Sequence, residues 1–121
     1  KIRIGNNVNI QDGSVVHATY KKTSTLIGNH VSIGHNSIIH GSMIDDFVLV
    51  GMGSIVMDRS KISSNTIIAA GSVIIENTFV EPNSIYGGIP AKKIKDIDQS
   101  KSKKEIERIA KNYLIYSKWY K

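Results

Sequence analysis

Residues 33–51 read IGHNSIIHGSMIDDFVLVG. Aliphatic side chains return there at Ile33, Ile39, Ile44 and Val50, in steps of six, five and six. Residues that tolerate a tight corner, Gly34, Asp45–Asp46 and Gly51, follow three of these four anchors. A step of six fits neither the 3.6-residue period of a helix nor the sustained alternation of a long strand. It fits a short strand plus a corner. Three such units close one triangular turn, and stacked turns bury the anchors in a continuous column.

The pattern extends in both directions. Downstream it continues through Val56, Ile62, Ile68, Ile74 and Val80. Upstream it runs through Ile27 and, beyond an interruption, Val16, Ile10 and Ile4. A sandwich of ordinary hairpins would place turn signals every 8–12 residues instead. The fold class is therefore all-β, a parallel β-helix of hexapeptide repeats over residues 1–91. The stretch Ala18–Leu26 is too long for one hexad and reads as a loop protruding from a corner. The repeat is already running at Ile2 and Ile4 while the chain opens on Lys1, so a preceding coil is expected. After Val80 the pattern reads as ended. Glu81–Ser84 reads as a turn and Tyr86–Ala91 as an irregular exit. Residues 92–121 form a second region, with a polar linker at 96–102 and then an amphipathic helix over Ser102–Tyr120. Its apolar stripe is Ile106, Ile109, Ala110, Tyr113, Leu114 and Tyr116 or Ser117. Ser102 with Glu105 has the form of a capping box.

Composition excludes several classes. There is no cysteine, hence no disulfide framework and no thiolate metal site. No apolar run reaches membrane-spanning length, and no signal-peptide pattern opens the sequence. These features point to a cytoplasmic protein with no membrane association. The net charge of +6 is uneven: residues 1–91 carry six basic and six acidic groups, and residues 92–121 carry ten and four. A nucleic-acid binder would be basic over its folded face, so the charge reads as a solvated lysine-rich tail or a docking surface for an anionic partner.

The register sorts the histidines. With Ile4, Ile10 and Val16 on the first, second and third faces, Ile27, Ile33 and Ile39 repeat the same three. His17 and His40 each directly follow a third-face anchor in successive turns. They should stand side by side and outward, about 4.8 Å apart at the backbone. Imidazoles so placed can share a metal at about 2.0–2.1 Å from each nitrogen. One histidine alone in such a corner reads as an ordinary surface or interface residue; the stacked pair points to a metal. His35 follows a second-face anchor by two and cannot reach the same ion within one chain. A three-fold trimer resolves this by bringing a neighbour's second face against this third face. Three imidazoles with an open position define a catalytic zinc site; Fe2+ and Co2+ suit the same ligands. His30, in the Gly28-Asn29-His30 corner, reads as solvated.

The segments Asn9–His17 and Ile33–Gly41 resemble the γ-class carbonic anhydrase family, which includes ferripyochelin-binding-type proteins. Val50–Ser54 is also similar to it, and Gly88–Lys92 matches an exit shared with many hexapeptide acyltransferases. The resemblance implies a left-handed β-helix and a homotrimer with a metal site at each subunit interface. His17 and His40 would come from one subunit and His35 from the next. It also implies that Gln11 hydrogen-bonds the metal-bound solvent and that Asp12 belongs to the supporting polar network. Their plainer reading is as polar corner residues. Tyr113 is the candidate for a helix tyrosine near the metal, with helix packing as its plainer role. Two features depart from the family. Its Arg-Gly-Asp segment has no counterpart among these residues, and the loop Ala18–Leu26 holds no acid to act as a proton shuttle.

The resemblance implies hydration of carbon dioxide to bicarbonate by a hydroxide formed on zinc, which lowers the pKa of its bound water to about 7. Two alternatives remain. One is a hexapeptide acyltransferase or hydrolase acting on a coenzyme A thioester. The other is a non-catalytic metal-binding or scaffold trimer, which the missing acids fit.

Overall fold

A computed structural model of the chain describes residues 1–98, 100, 103–106 and 108. The first turn holds β1 (Ile2–Ile4), β2 (Asn9–Ile10) and β3 (Val15–His17). The second holds β4 (Thr25–Ile27), β5 (Val31–Ile33) and β6 (Ile38–His40). The third holds β7 (Met43–Ile44), β8 (Val48–Val50) and β9 (Ile55–Val56), and the fourth β10 (Lys61–Ile62), β11 (Thr66–Ile68) and β12 (Val73–Ile74). β13 (Phe79–Val80) and β14 (Ser84–Gly88) begin a fifth, and β15 (Ala91–Asp96) closes the described strands. Stacking every third strand in parallel gives the three walls β1-β4-β7-β10-β13, β2-β5-β8-β11-β14 and β3-β6-β9-β12. The chain is a left-handed parallel β-helix with a helical C-terminal segment.

The anchors line the interior as the spacing requires. Ile33, Ile39, Val50, Val56, Ile62, Ile68, Ile74 and Val80 are fully buried. Ile4 and Ile10 remain 47% and 38% exposed, because the first turn has a neighbouring rung on one side only. Truncating a mid-stack anchor leaves a cavity that rigid parallel rungs cannot close. Ile62→Ala should therefore cost roughly 2–5 kcal/mol, read as a lower urea midpoint with an unchanged slope.

The corners turn through the left-handed backbone region. The corner between the first and second walls stacks Asn7, His30, Phe47, Asn65 and Asn83, with φ between 54° and 58°. Asparagine tolerates this conformation; a phenylalanine there costs about 1–2 kcal/mol. Contacts offset that cost. The Phe47 ring stacks on His30 with centroids 4.8 Å apart and planes at 10°, and the Lys103 ammonium lies 5.2 Å from the Phe47 centroid. His30 is thus half-buried rather than solvated.

Four further expectations are corrected. β4 begins at Thr25, so the protruding loop ends at Ser24; the Thr19 N–H donates to Thr23 Oγ1 (2.8 Å) and pins its base. The repeat also runs one hexad past Val80. Tyr86, six residues on, points into the stack at 8% exposure and continues the second wall in β14. The supposed irregular exit is a hairpin in which β15 pairs antiparallel with β14. There Lys93 bridges Asp96 (2.6 Å) and Glu81 (2.9 Å), which hold its ammonium pKa well above the ordinary range. Finally, Ser100 is already helical and its N–H donates to Asp98 Oδ1 (2.9 Å), so Asp98 caps the helix. Glu105 accepts from Arg108 (2.5 Å), and that hydrogen bond lowers its carboxyl pKa. Ile106 is fully buried, as the stripe requires. Ser102, Tyr113 and the rest of the stripe lie outside the described residues.

Candidate metal centre

β3 and β6 pair in parallel with Val15 opposite Ile38, Val16 opposite Ile39 and His17 opposite His40. Val16 and Ile39 face inward, so alternation turns their neighbours outward. The two imidazoles stack with centroids 4.9 Å apart and planes at 27°. His17 Nδ1 lies 2.9 Å from His40 Nε2. The other His40 nitrogen, Nδ1, meets the carboxylate of Asp58. The His17 carbonyl is held by Thr25 Oγ1 (2.6 Å) and the Gly41 N–H (3.0 Å), which fixes the strand end that carries the imidazole.

Gly41 is required at this corner. Its φ is +53°, and a Cβ there would stand 2.7 Å from Thr23 Oγ1 and 2.8 Å from Asp58 Oδ1. The absent side chain leaves room for both groups to close over the corner.

Three other sequence candidates, Gln11, Asp12 and His35, sit at the opposite end of the third wall. Gln11 and Asp12 lie in the corner before β3, and His35 in the corner before β6. The Asn36 N–H donates to the Asp12 carbonyl (3.0 Å), so the two corners are stacked. Gln11 Nε2 donates to Asn9 Oδ1 (3.3 Å), and Asn9 Nδ2 to Ser32 Oγ (2.6 Å). The structure therefore brings His17, His40 and Asp58 together and keeps Gln11, Asp12 and His35 apart from them. Among the described residues of one chain, no group of three His, Cys, Asp or Glu side chains is placed to hold a metal ion. Between the two ends the outward column of the wall is Val15, Ile38, Ile55 and Val73. Val15 is 49% and Ile38 39% exposed.

The donor set suits a metal. Two nitrogens each about 2.0–2.1 Å from a tetrahedral ion are separated by roughly 3.3 Å, so the 2.9 Å pair need open by only a few tenths of an ångström. A carboxylate on the far nitrogen of an imidazole is the usual support of a metal-bound histidine. Sequence reasoning missed Asp58. Its available signal was an acid two residues past the third-face anchor Val56, at the same corner as His17 and His40.

Fold and site together define a hexapeptide-repeat protein with a paired-imidazole centre on the rim of one wall. No family model matches the chain. Mitochondrial γ carbonic anhydrase 2 of Arabidopsis thaliana is 35% identical to it over 118 residues, covering 93% of this chain and 42% of that protein. A carbonic anhydrase of Geobacillus kaustophilus is 36% identical, covering 98% and 64%. Among solved structures, a hexapeptide transferase family protein of Anaplasma phagocytophilum superposes with a TM-score of 0.88 at 35% identity, over 98% of this chain and 68% of that one. The chain belongs to the γ-class carbonic anhydrase-like family of hexapeptide-repeat proteins. It spans about two fifths to two thirds of the length of these curated relatives.

Proposed function

We propose that three copies of the chain assemble around a three-fold axis, hold a divalent metal at each interface, and hydrate carbon dioxide to bicarbonate. The observation that carries this is the division of one ligand set between the two ends of the third wall. His17 and His40 stand at one end and His35 at the other, with an aliphatic column between them. A neighbour packed on that column would bring its His35 to this chain's pair. Zinc, with iron(II) or cobalt(II) as substitutes, supplies Lewis acidity that brings the pKa of a water near 7.

The chain's own residues shape the rest. Gln11 Nε2 is committed to Asn9, which leaves Oε1 as an oriented acceptor for a proton of the reacting water. That hydrogen bond would aim the oxygen lone pair at the carbon. Asp12 supports the same corner. Water adds to carbon dioxide, and the released proton leaves to buffer, since the loop between β3 and β4 carries no acid. Tyr113 is proposed as a further hydrogen-bond donor.

The carboxylate-backed His40 and the solved transferase-family relative favour a second reading, an acyltransferase using His40 as general base on a coenzyme A thioester. Acetyl-CoA turnover that survives exhaustive chelation would select it. The missing loop acids favour a non-catalytic metal-binding scaffold, which stoichiometric metal without turnover would select. The test of the main reading is metal analysis of the purified protein with stopped-flow carbon dioxide hydration. Bound metal and hydration above buffer, both lost in His17→Ala, are expected. Identical rates for metal-loaded protein and His17→Ala would end the enzyme reading.

A further inference from the structure

We infer that Asp58 is the positioning residue of the centre: its carboxylate accepts the Nδ1 proton of His40 and so holds the His40 Nε2 lone pair toward His17. This rests on the metal reading above and adds a residue to it.

Three observations carry the assignment. The Asp58 carboxylate meets His40 Nδ1, while His40 Nε2 faces His17 Nδ1 at 2.9 Å. A neutral imidazole carries its proton on one nitrogen and its lone pair on the other, so an acceptor at Nδ1 decides which nitrogen can bind a cation. Secondly, the pair is partly shielded, with side-chain exposures of 30% for His40 and 19% for Asp58, which strengthens the contact over a fully solvated one. Thirdly, the corner is built around it. Gly41 leaves the space that the carboxylate occupies beside Thr23. The adjacent cation, Arg59, is directed at Glu76 (3.7 Å).

An unsupported His40 would divide between its two tautomers and rotate about its ring axis. Each departure removes a nitrogen from the point where His17 already directs its own. The carboxylate touches neither the reacting water nor carbon dioxide. Its effect passes through His40.

The test compares Asp58→Ala and Asp58→Asn with the wild-type trimer, using zinc alone as the probe in a chelator competition. ¹⁵N NMR of the His40 ring in the metal-free protein is recorded alongside. The wild type should show the Nδ1–H tautomer. Asp58→Ala should lose that signature and bind zinc about 10–100-fold more weakly. Asp58→Asn keeps a neutral acceptor and should retain most of the signature with a smaller loss of affinity. Circular dichroism should be the same for all three. A merely structural aspartate would move stability and leave the ring signature alone. An unchanged His40 signature in Asp58→Ala, with zinc affinity within about twofold of wild type, overturns the assignment. If the wild type binds no zinc, the metal reading falls, and the ring signature of the metal-free proteins still decides whether Asp58 sets His40.

Discussion

Ile38→Glu should break the proposed trimer and empty the proposed metal site without touching a ligand. Ile38 lies at the middle of the outward column of the third wall and is 39% exposed in the single chain. If a neighbour covers this column, each aliphatic side chain removed from water contributes on the order of 1–2 kcal/mol. A carboxylate at the same point would have to be desolvated without a partner, which costs several kcal/mol and is repeated at every interface of a symmetric trimer. Sedimentation should show the mass falling from about 40 kDa to the 13.3 kDa of one chain. Zinc should be lost in parallel, because His35 then has no neighbour to serve. The fold should persist, since the side chain points away from the buried anchors.

His40→Ala carries the second large effect. It removes one of three proposed ligands and leaves the Asp58 carboxylate half-shielded beside an empty corner. The loss of zinc affinity should exceed the roughly 10–100-fold expected when only a supporting partner is removed. Carbon dioxide hydration should fall to the buffer rate. His40 is part-exposed and its strand is held by Ile39, so the metal-free fold should persist and lose only about 1–3 kcal/mol, the cost of leaving the Asp58 carboxylate without its donor. A trimer that keeps its mass and its circular dichroism spectrum while losing metal would place the effect at the ligand.

Much of this was legible in the residues themselves. The hexad period fixes which anchors share a wall, and the observed register places Ile4 with Ile27 and Ile44, and Val16 with Ile39 and Val56. It also sets His17 beside His40. The hidden parts have specific physical causes. Tyr86 keeps the six-residue spacing after Val80, but an aromatic ring in an aliphatic series reads as a break. Phe47 adopts a left-handed corner conformation that its own preference opposes, offset by its stacking on His30 and by the Lys103 ammonium over its ring. Asp58 is out of phase with the histidines. Five residues separate Val56 from Ile62, whereas four separate Ile39 from Ile44. The longer corner lets a side chain one step past the level of His40 fold back onto it. The helix cap moved to Asp98 because the helix starts earlier than the apolar stripe alone indicates.

The shared-site claim makes a stoichiometric demand that a site within one chain does not. His35→Ala and His40→Ala chains, each alone, should form trimers that bind no zinc tightly. Unfolded together in equal amounts and refolded, they should assemble at random, and roughly one interface in four would then pair an intact His17–His40 edge with an intact His35. Zinc binding by the mixed trimers should accordingly recover to about a quarter of the wild-type stoichiometry at wild-type affinity. No recovery in well-formed mixed trimers, or full zinc binding by His35→Ala alone, would contradict a metal held between subunits.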